Sequence, residues 1–315
     1  MISGSSRRFR NVAVVMGGPS TERDVSLRSG AAVAAGLREA GYVVAEVDVK
    51  DRDVDVPGAT EAVFVALHGE FGEDGEVQSV LEGKGIPYTG SGPRASWLSF
   101  NKSASKKTFD KKGIPSPVYE ILCRGERRSL ALPVVIKPPC QGSSIGVHRV
   151  LNEADWSAAA EDAFKYGPEI IVEAFVPGRE LTVGIVGHEA LPVVEIRAHD
   201  DWYDYKAKYT KGQTEYLVPA PLDEATARRC REIALRTFDA LGCRDMGRVD
   251  IRMSQRGELL VLELNNIPGF TETSLLPKAA ACAGIPFADL CARLMEMAGL
   301  ERSVAGTVVC CGTGT

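Results

Sequence analysis

Three oxygen-bearing side chains near the carboxyl end of the sequence have the spacing of a metal site. Asp250 lies within an apolar stretch, and Glu263 and Asn265 are two residues apart at the end of another. Because side chains alternate along a β-strand, Glu263 and Asn265 share one face. Such oxygens are the ligands of hard cations such as Mg²⁺, which also bind substrate phosphates. A single carboxylate of this kind usually just ends a strand, but the three together predict a magnesium site.

A glycine- and serine-rich loop and two lysines have the composition of a phosphate-binding site. Lys137 follows the apolar run 134–136, the loop 142–146 comes next, and Lys102 lies upstream on a predicted helix. Glycines let backbone amides approach an anion, and hydroxyls such as that of Ser144 donate further hydrogen bonds. The loop alone favours a plain turn. With the lysines and the metal site it predicts a nucleoside triphosphate site, although the sequence contains neither a P-loop nor a dinucleotide fingerprint.

A third segment allows two interpretations. The apolar run 170–176 is followed by the polar turn 178–180. The edge of such a strand is suited to holding an adenine ring, with Glu180 accepting ribose hydroxyls. A core strand followed by a surface turn explains the same residues, so spacing leaves both readings open.

The segments that must position these residues alternate between strand and helix patterns. Runs 12–16 and 63–67 have the continuous apolar character of strands buried on both faces. Between them, Ser26 is predicted to cap a helix that ends at Ala40. This order favours an open α/β sheet, whose ligands gather at the carboxyl ends of the strands.

A second unit is predicted after the Gly/Pro-rich stretch 85–93. It begins with one lysine-rich helix over 94–112, and the aperiodic segment 199–216 has the length of a lid or binding loop. The predicted organisation is an N-terminal α/β domain at 1–100, a central nucleotide-binding domain at 101–180, a C-terminal domain at 181–303 and a disordered tail at 304–315.

Composition and charge exclude several classes of protein. The chain has 315 residues, with 37 Lys and Arg against 42 Asp and Glu, for a net charge of −5. This balance does not favour nucleic-acid binding, which needs a basic field. No apolar run approaches the roughly 20 residues of a membrane span. The eight cysteines form no CxxC pair, and no signal peptide is evident, so we expect a cytoplasmic protein.

Taken in order along the chain, these motifs resemble the ATP-grasp ligases and, more closely, the D-alanine–D-alanine ligase family. The resemblance implies an ATP-grasp fold, combining α/β and α+β structure, behind an N-terminal open α/β domain. It covers roughly residues 11–301. The matching segments are GGPSTERDVSLRSG at 17–30, ALHGEFGEDG at 66–75, YTGSGPRAS at 88–96, NK at 101–102, VVIKP at 134–138, GSSIGV at 142–147, YDYKAKY at 203–209, GRVDI at 247–251 and LELNNIPGFTETSLLP at 262–277.

The resemblance also implies a reaction. ATP would phosphorylate the carboxylate of one D-alanine, and the amine of a second D-alanine would displace phosphate to form the dipeptide used in peptidoglycan. Two Mg²⁺ or Mn²⁺ ions would assist. Phosphoryl transfer needs in-line positioning and neutralised phosphate charge, which lysines and metal ions supply. The partners would be D-alanine and ATP, and several members of the family are homodimers.

The resemblance assigns roles to individual residues. In the substrate site, Glu22 would hold the ammonium group of the first D-alanine, joined by Ser143 and Tyr209. Arg248 and the Gly269 amide would stabilise the oxyanion. Ser274 would bind the carboxylate of the second D-alanine, and His68 would border the site. The ATP phosphates would be contacted by Lys102, Lys137, Ser144 and Lys208. Adenine and ribose would be held by Glu173, Val176 and Glu180. The metals would be bound by Asp250, Glu263 and Asn265.

Plainer interpretations exist for several of these residues, and the sequence departs from the family at two positions. Glu22 alone would read as a solvated turn residue, and Arg248 could pair with Asp245. Asn266 stands where the family usually has Thr, and Ala174 occupies a position often taken by Lys or Glu. One alternative is a sister ligase that makes D-Ala-D-Lac or D-Ala-D-Ser; a neutral Tyr209 disfavours the lactate product. The other alternative is a catalytically dead ATP-binding regulatory protein.

Overall fold

Three β-sheets organise the chain, which is described here from a computed structural model covering residues 7–198, 214–271 and 274–301. The predicted tail and most of the predicted loop 199–216 lie outside these ranges. One sheet is parallel with a crossover helix, and the other two are antiparallel. The predicted combination of α/β and α+β structure is therefore confirmed.

The N-terminal sheet has three parallel strands in the order β2-β1-β3. They are β1 (Asn11–Gly17), β2 (Val43–Val49) and β3 (Ala62–Val65), and helix α1 (Arg23–Glu39) crosses between the first two. Helix α2 (Glu76–Lys84) follows the third strand. Strands β1 and β3 are buried almost throughout because they carry continuous apolar residues, as the sequence predicts.

The start of helix α1 differs from the prediction. The helix begins at Arg23, one turn before Ser26, and Ser26 is buried inside it. The Ser26 hydroxyl accepts a hydrogen bond from the Gly17 amide at 2.8 Å and donates one to the Ala66 carbonyl at 2.7 Å. Ser26 is therefore not a cap. It joins the carboxyl end of β1 to the chain that leaves β3, which is where the predicted ligand edge lies.

The predicted lysine-rich helix over 94–112 is two helices. Helix α3 spans Pro93–Phe100 and helix α4 spans Lys102–Lys112. Asn101 has an extended backbone between them, and its side chain accepts a hydrogen bond from the Ala104 amide at 3.0 Å. The prediction was wrong because Asn101 acts as the N-cap of a new helix. As a result, Lys102 is the first residue of α4.

The first antiparallel sheet has four strands in the order β4-β7-β5-β6 and a separate apolar cluster. Helix α5 covers it and ends in a short 3₁₀ turn at 164–166. The strands are β4 (Tyr119–Cys123), β5 (Val134–Lys137), β6 (His148–Val150) and β7 (Glu169–Ala174), and α5 spans Glu153–Ala163.

The second antiparallel sheet has the strand order β11-β10-β8-β12-β13, with the short β9 paired to β8. Helix α6 (Glu224–Leu241) packs on it, and Asp223 caps this helix by accepting the Thr226 amide at 2.9 Å. The strands are β8 (Gly178–Val186), β9 (Glu189–Ala190), β10 (Val194–Ala198), β11 (Thr214–Leu217), β12 (Met246–Ser254) and β13 (Leu259–Asn265).

The last two helices return to the N-terminal sheet. Helices α7 (Leu275–Cys282) and α8 (Phe287–Met297) share one apolar cluster with that sheet, and the Phe64 and Phe270 rings meet edge to face at 5.4 Å. The domain boundaries stay a prediction. Within the described ranges no single helix is long and apolar enough to cross a membrane; α7 and α8 reach that length and composition only as a pair, bent by 107°.

We predict that Ser26→Ala lowers the free energy of unfolding by about 2–4 kcal/mol, because it leaves one buried amide and one buried carbonyl without a partner. Chemical denaturation followed by circular dichroism measures the change. Ser157, exposed on α5, provides the control, because Ser157→Ala should change stability by less than about 0.5 kcal/mol. Equal stability of the two variants would contradict this account of Ser26.

Candidate active site

The register of β12 and β13 brings the predicted metal ligands to one face of the second antiparallel sheet. Asp250 lies directly opposite Glu263, and Arg248 lies opposite Asn265. After Asp250 a β-bulge shifts the register by one residue, and the pairing continues to Met253. The register therefore places Asp250 beside Glu263, on the face that the two-residue spacing predicts for Glu263 and Asn265. The assignment of these residues to a metal stays a prediction.

Asp250 is buried and held by its neighbours on two strands. Arg248 makes a bidentate ion pair with it, with Nε–Oδ1 and Nη2–Oδ2 distances of 2.9 Å each. Thr182 on β8 donates its hydroxyl to the same carboxylate at 2.6 Å. The alternative pairing of Arg248 with Asp245 is not observed, since Asp245 pairs with Arg244 at 2.7 Å.

Glu263 and Asn265 are the other two predicted metal ligands. The Glu263 carboxylate lies 3.3 Å from Nζ of Lys102, and Oδ1 of Asn265 accepts the Ile267 amide at 3.2 Å. Within the described ranges no three His, Cys, Asp or Glu side chains form a metal-binding group. The predicted set has only two carboxylates, and its third ligand is an amide. These hard oxygen donors fit Mg²⁺ or Mn²⁺, which take carboxylate, amide and water oxygens.

A buried carboxylate between two lysines forms the second part of the site. Glu173 on β7 lies 2.7 Å from Nζ of Lys137 on β5 and 2.7 Å from Nζ of Lys106 on α4. Burial lowers the pKa of Lys106 to about 8, against the attraction of Glu173. Burial alone would raise the pKa of Glu173, but the two lysines together hold it below its usual value. The carboxylate is therefore charged at neutral pH.

The serine loop reaches the N-terminal sheet. Ser143 and Ser144 both have positive φ, at 50° and 59°, an arrangement that costs energy in residues with a side chain. The Ser143 hydroxyl donates a hydrogen bond to the Glu22 carboxylate. Gly142 permits this approach, because a Cβ at that position would lie 2.5 Å from Oε2 of Glu22. Two of the three residues expected to orient the first substrate are thus in contact.

The residues expected at adenine and ribose are tied to β12 through one arginine. Arg252 donates to the Val176 carbonyl at 2.9 Å and pairs with Glu180 at 2.9 Å. Glu180 lies opposite Arg252 in the β8–β12 register. The turn after β7 is therefore fixed to the strand that carries Asp250. The nucleotide roles of Val176 and Glu180 remain predictions.

The other expected substrate residues lie at the junction of the N-terminal sheet and the loop after β13. His68 is buried, with Nε2 3.1 Å from the Ser29 hydroxyl. Ser274 accepts the Thr271 amide at 3.0 Å and lies beside Gly269, where a Cβ would be 2.8 Å from its hydroxyl oxygen. Lys208 and Tyr209 lie outside the described residues.

Two lysines on one helix connect the parts of the site. Nζ of Lys102 donates to the Gln141 carbonyl at 2.7 Å, which joins the Glu263 face to the serine loop. Nζ of Lys106 donates to the Val261 carbonyl at 3.3 Å, which joins the Glu173 cluster to β13. Helix α4 therefore connects the Glu263 face, the serine loop and the Glu173 cluster.

Sequence reasoning missed several members of this region. Lys106 lies one helical turn after Lys102 and so shares its face, a spacing that could have identified it. Thr182 has no such signal, because only the β8–β12 pairing brings it to Asp250. Glu73 and Ser29, which contact His68, lie within the quoted motifs but have no distinctive spacing.

We predict that Glu173→Gln lowers the free energy of unfolding by about 3–5 kcal/mol at pH 7, because it leaves two buried lysines without their counter-charge. The loss should shrink at pH 9. Glu173 raises the pKa of Lys106, so its removal depresses that pKa further below the unfolded value, and the stability of the variant rises more with pH than that of the wild type. Chemical denaturation at both pH values measures this.

The control is Glu161→Gln, which breaks an exposed ion pair with Arg124 and should cost less than about 1 kcal/mol at either pH. If Glu173→Gln were no more costly than Glu161→Gln, the buried cluster would not have the electrostatic role inferred here.

Comparisons with known proteins identify the family. A model of the "D-ala D-ala ligase C-terminus" matches residues 104–296, more than half of the chain, and a model of the "D-ala D-ala ligase N-terminus" matches residues 44–91. A D-alanine–D-alanine ligase of Methylacidiphilum infernorum is 43% identical over 297 residues, covering 94% of this chain and 98% of the relative. That of Desulforudis audaxviator is 46% identical, covering 92% and 98%.

Solved structures agree. The crystal structure of D-alanine–D-alanine ligase from Bacillus anthracis has a TM-score of 0.81 and 32% identity, covering 91% of this chain and 97% of that one. The structure of the same enzyme complexed with ATP has a TM-score of 0.80 and 29% identity over the same shares. The chain therefore belongs to the D-alanine–D-alanine ligase family and has its ATP-grasp fold.

Proposed function

We propose that the protein is an ATP-dependent D-alanine–D-alanine ligase that supplies the dipeptide for peptidoglycan synthesis. The observation that carries the proposal is the opposition of Asp250 and Glu263 on β12 and β13, flanked by Arg248 and Lys102. Two carboxylates that can hold a metal, next to two basic side chains, suit phosphoryl transfer, in which the negative charge of the phosphates must be neutralised. The family membership supplies the class of reaction.

The metal site would use Asp250, Glu263 and Asn265. Two carboxylates and an amide oxygen suit Mg²⁺ or Mn²⁺ and leave further positions for water and phosphate oxygens. When bound, such ions neutralise the charge that develops on the transferred phosphoryl group. Arg248 and Lys102 supply positive charge at the two carboxylates. Both basic side chains therefore lie where anionic substrate groups would meet the predicted metal ligands.

In the first step a carboxylate oxygen of one D-alanine attacks the γ-phosphorus of ATP, and the bond to ADP breaks. Glu22 would hold the ammonium group of this D-alanine, and its contact with Ser143 supports that role because the hydroxyl fixes the carboxylate. Lys102 and Lys137 would neutralise the phosphates. Ser144 would contribute donors from the loop.

In the second step the amine of another D-alanine, after losing a proton, attacks the acyl carbon. The C–O bond to phosphate then breaks and inorganic phosphate leaves. Arg248 and the Gly269 amide would stabilise the oxyanion, and Ser274 would bind the second carboxylate. The closeness of Gly269 to Ser274 supports assigning both to this half of the site.

The experiment is a D-alanine-dependent assay of ATP hydrolysis with Mg²⁺ and identification of the product by mass spectrometry. We expect phosphate release that requires D-alanine, with D-Ala-D-Ala as the product. Glu263→Gln should lower kcat by at least about 10³-fold, because it removes charge where the phosphoryl group is transferred. Glu258→Gln, an exposed glutamate just before β13, is the matched control and should keep near-normal turnover.

Each alternative has its own outcome in this assay. Preferential formation of D-Ala-D-Lac or D-Ala-D-Ser from mixed substrates would identify a sister ligase. Absence of D-alanine-dependent phosphate release from folded protein would identify a dead nucleotide-binding protein. Near-normal turnover in Glu263→Gln would contradict the metal assignment.

A further inference from the structure

One buried carboxyl group near the substrate site has no role in the mechanism above. Glu73 follows β3 and is 9% exposed. Its Oε1 accepts the Gly69 amide at 3.2 Å and lies 3.5 Å from Nδ1 of His68. Burial raises the pKa of Glu73; His68 opposes this shift, and the Glu22 carboxylate adds to it. Burying a carboxyl group away from water costs free energy, so the presence of Glu73 here indicates a specific role.

The His68 ring is held between two groups. Glu73 faces Nδ1, and the Ser29 hydroxyl lies 3.1 Å from Nε2. Ser29 in turn accepts the Phe270 amide at 3.2 Å. With both ring nitrogens engaged inside the protein, His68 is suited to fixing structure. This chain of contacts runs from Glu73 to the residue that follows Gly269.

The backbone of Glu73 makes a second connection to the same loop. Its carbonyl accepts the side-chain amide of Asn266, which is 1% exposed. Asn266 is the position at which the sequence departs from the usual Thr of the family. The side chain and the backbone of Glu73 therefore both connect the turn after β3 to the loop after β13.

The other end of this network reaches Glu22. Ser20 donates its hydroxyl to the His68 carbonyl at 2.6 Å, and the Glu22 amide donates to the same hydroxyl oxygen at 3.2 Å. Gly69 has a φ of +70°, and a Cβ there would lie 2.9 Å from Oε2 of Glu22. The Glu22 carboxylate therefore rests directly on the segment that Glu73 fixes.

We propose that Glu73 is a positioning residue for the first amino-acid site: through His68 and Gly69 it sets the Glu22 carboxylate, and through Asn266 it keeps that carboxylate in register with the Gly269 loop. This inference rests on the proposed function. It separates two tasks. Glu22 binds the amino acid, and Glu73 fixes the distance between the ammonium group and the place where the acyl carbon reacts.

The test compares Glu73→Ala with Glu73→Gln in steady-state assays that vary D-alanine and ATP separately. Glu73→Ala should raise the KM for the first D-alanine about tenfold or more, because a lost buried hydrogen bond and a small displacement have effects of that size. The KM for ATP should change by less than about twofold. Glu73→Gln retains an acceptor oxygen and should restore the D-alanine KM to within about threefold of wild type.

The matched control is Glu70→Ala, which removes an exposed glutamate from the same turn and should leave both KM values unchanged. Equal losses for D-alanine and ATP, or failure of Glu73→Gln to rescue, would mean a general structural role and overturn the proposal. If Glu73→Ala does not fold, Ser29→Ala opens the other side of His68 and must show the same selective rise.

Assays of the wild-type protein distinguish failure of the proposed function from failure of this inference. Absence of D-alanine-dependent turnover in wild type would overturn the proposed function and this inference with it. Normal wild-type turnover with an unchanged D-alanine KM in the folded variant would overturn only the positioning role of Glu73.

Discussion

Two carboxylates, Asp250 and Glu263, face each other across neighbouring strands, and the rest of the site is built around the charge this creates. Opposed residues in a sheet lie roughly 5 Å apart, where two like charges repel by about 3 kcal/mol at an effective dielectric constant near 20. The sheet tolerates the pair because Arg248 and Lys102 lie against it. Cations of some kind are therefore required on this face.

Carboxylates are also balanced by basic side chains in the neighbouring antiparallel sheet. Glu173 is balanced by Lys106 and Lys137, and Lys106 also reaches the backbone of β13. Basic groups suited to phosphates thus serve as internal counter-ions in this state. Each carboxylate of this region has a basic side chain against it, which explains how so many charged groups can share one region.

Much of the architecture follows from sequence patterns, because apolar runs and alternating residues report directly on strands and their faces. The shared face of Glu263 and Asn265 is such a case. The helix start at Arg23 was missed because Ser26 satisfies a buried amide and carbonyl that are distant in sequence. Glu73 was missed because its backbone partner Asn266 is distant in sequence, and because its local contacts with His68 and Gly69 have no distinctive spacing.

The most direct measurement of the central claim is a Mn²⁺ titration in the presence of ATP, followed by electron paramagnetic resonance. The account predicts that Glu263→Gln weakens Mn²⁺ binding by at least about tenfold relative to wild type, because it removes one of two opposed carboxylate ligands. Unchanged Mn²⁺ affinity and stoichiometry in folded Glu263→Gln would show that the metal binds elsewhere and would contradict the account.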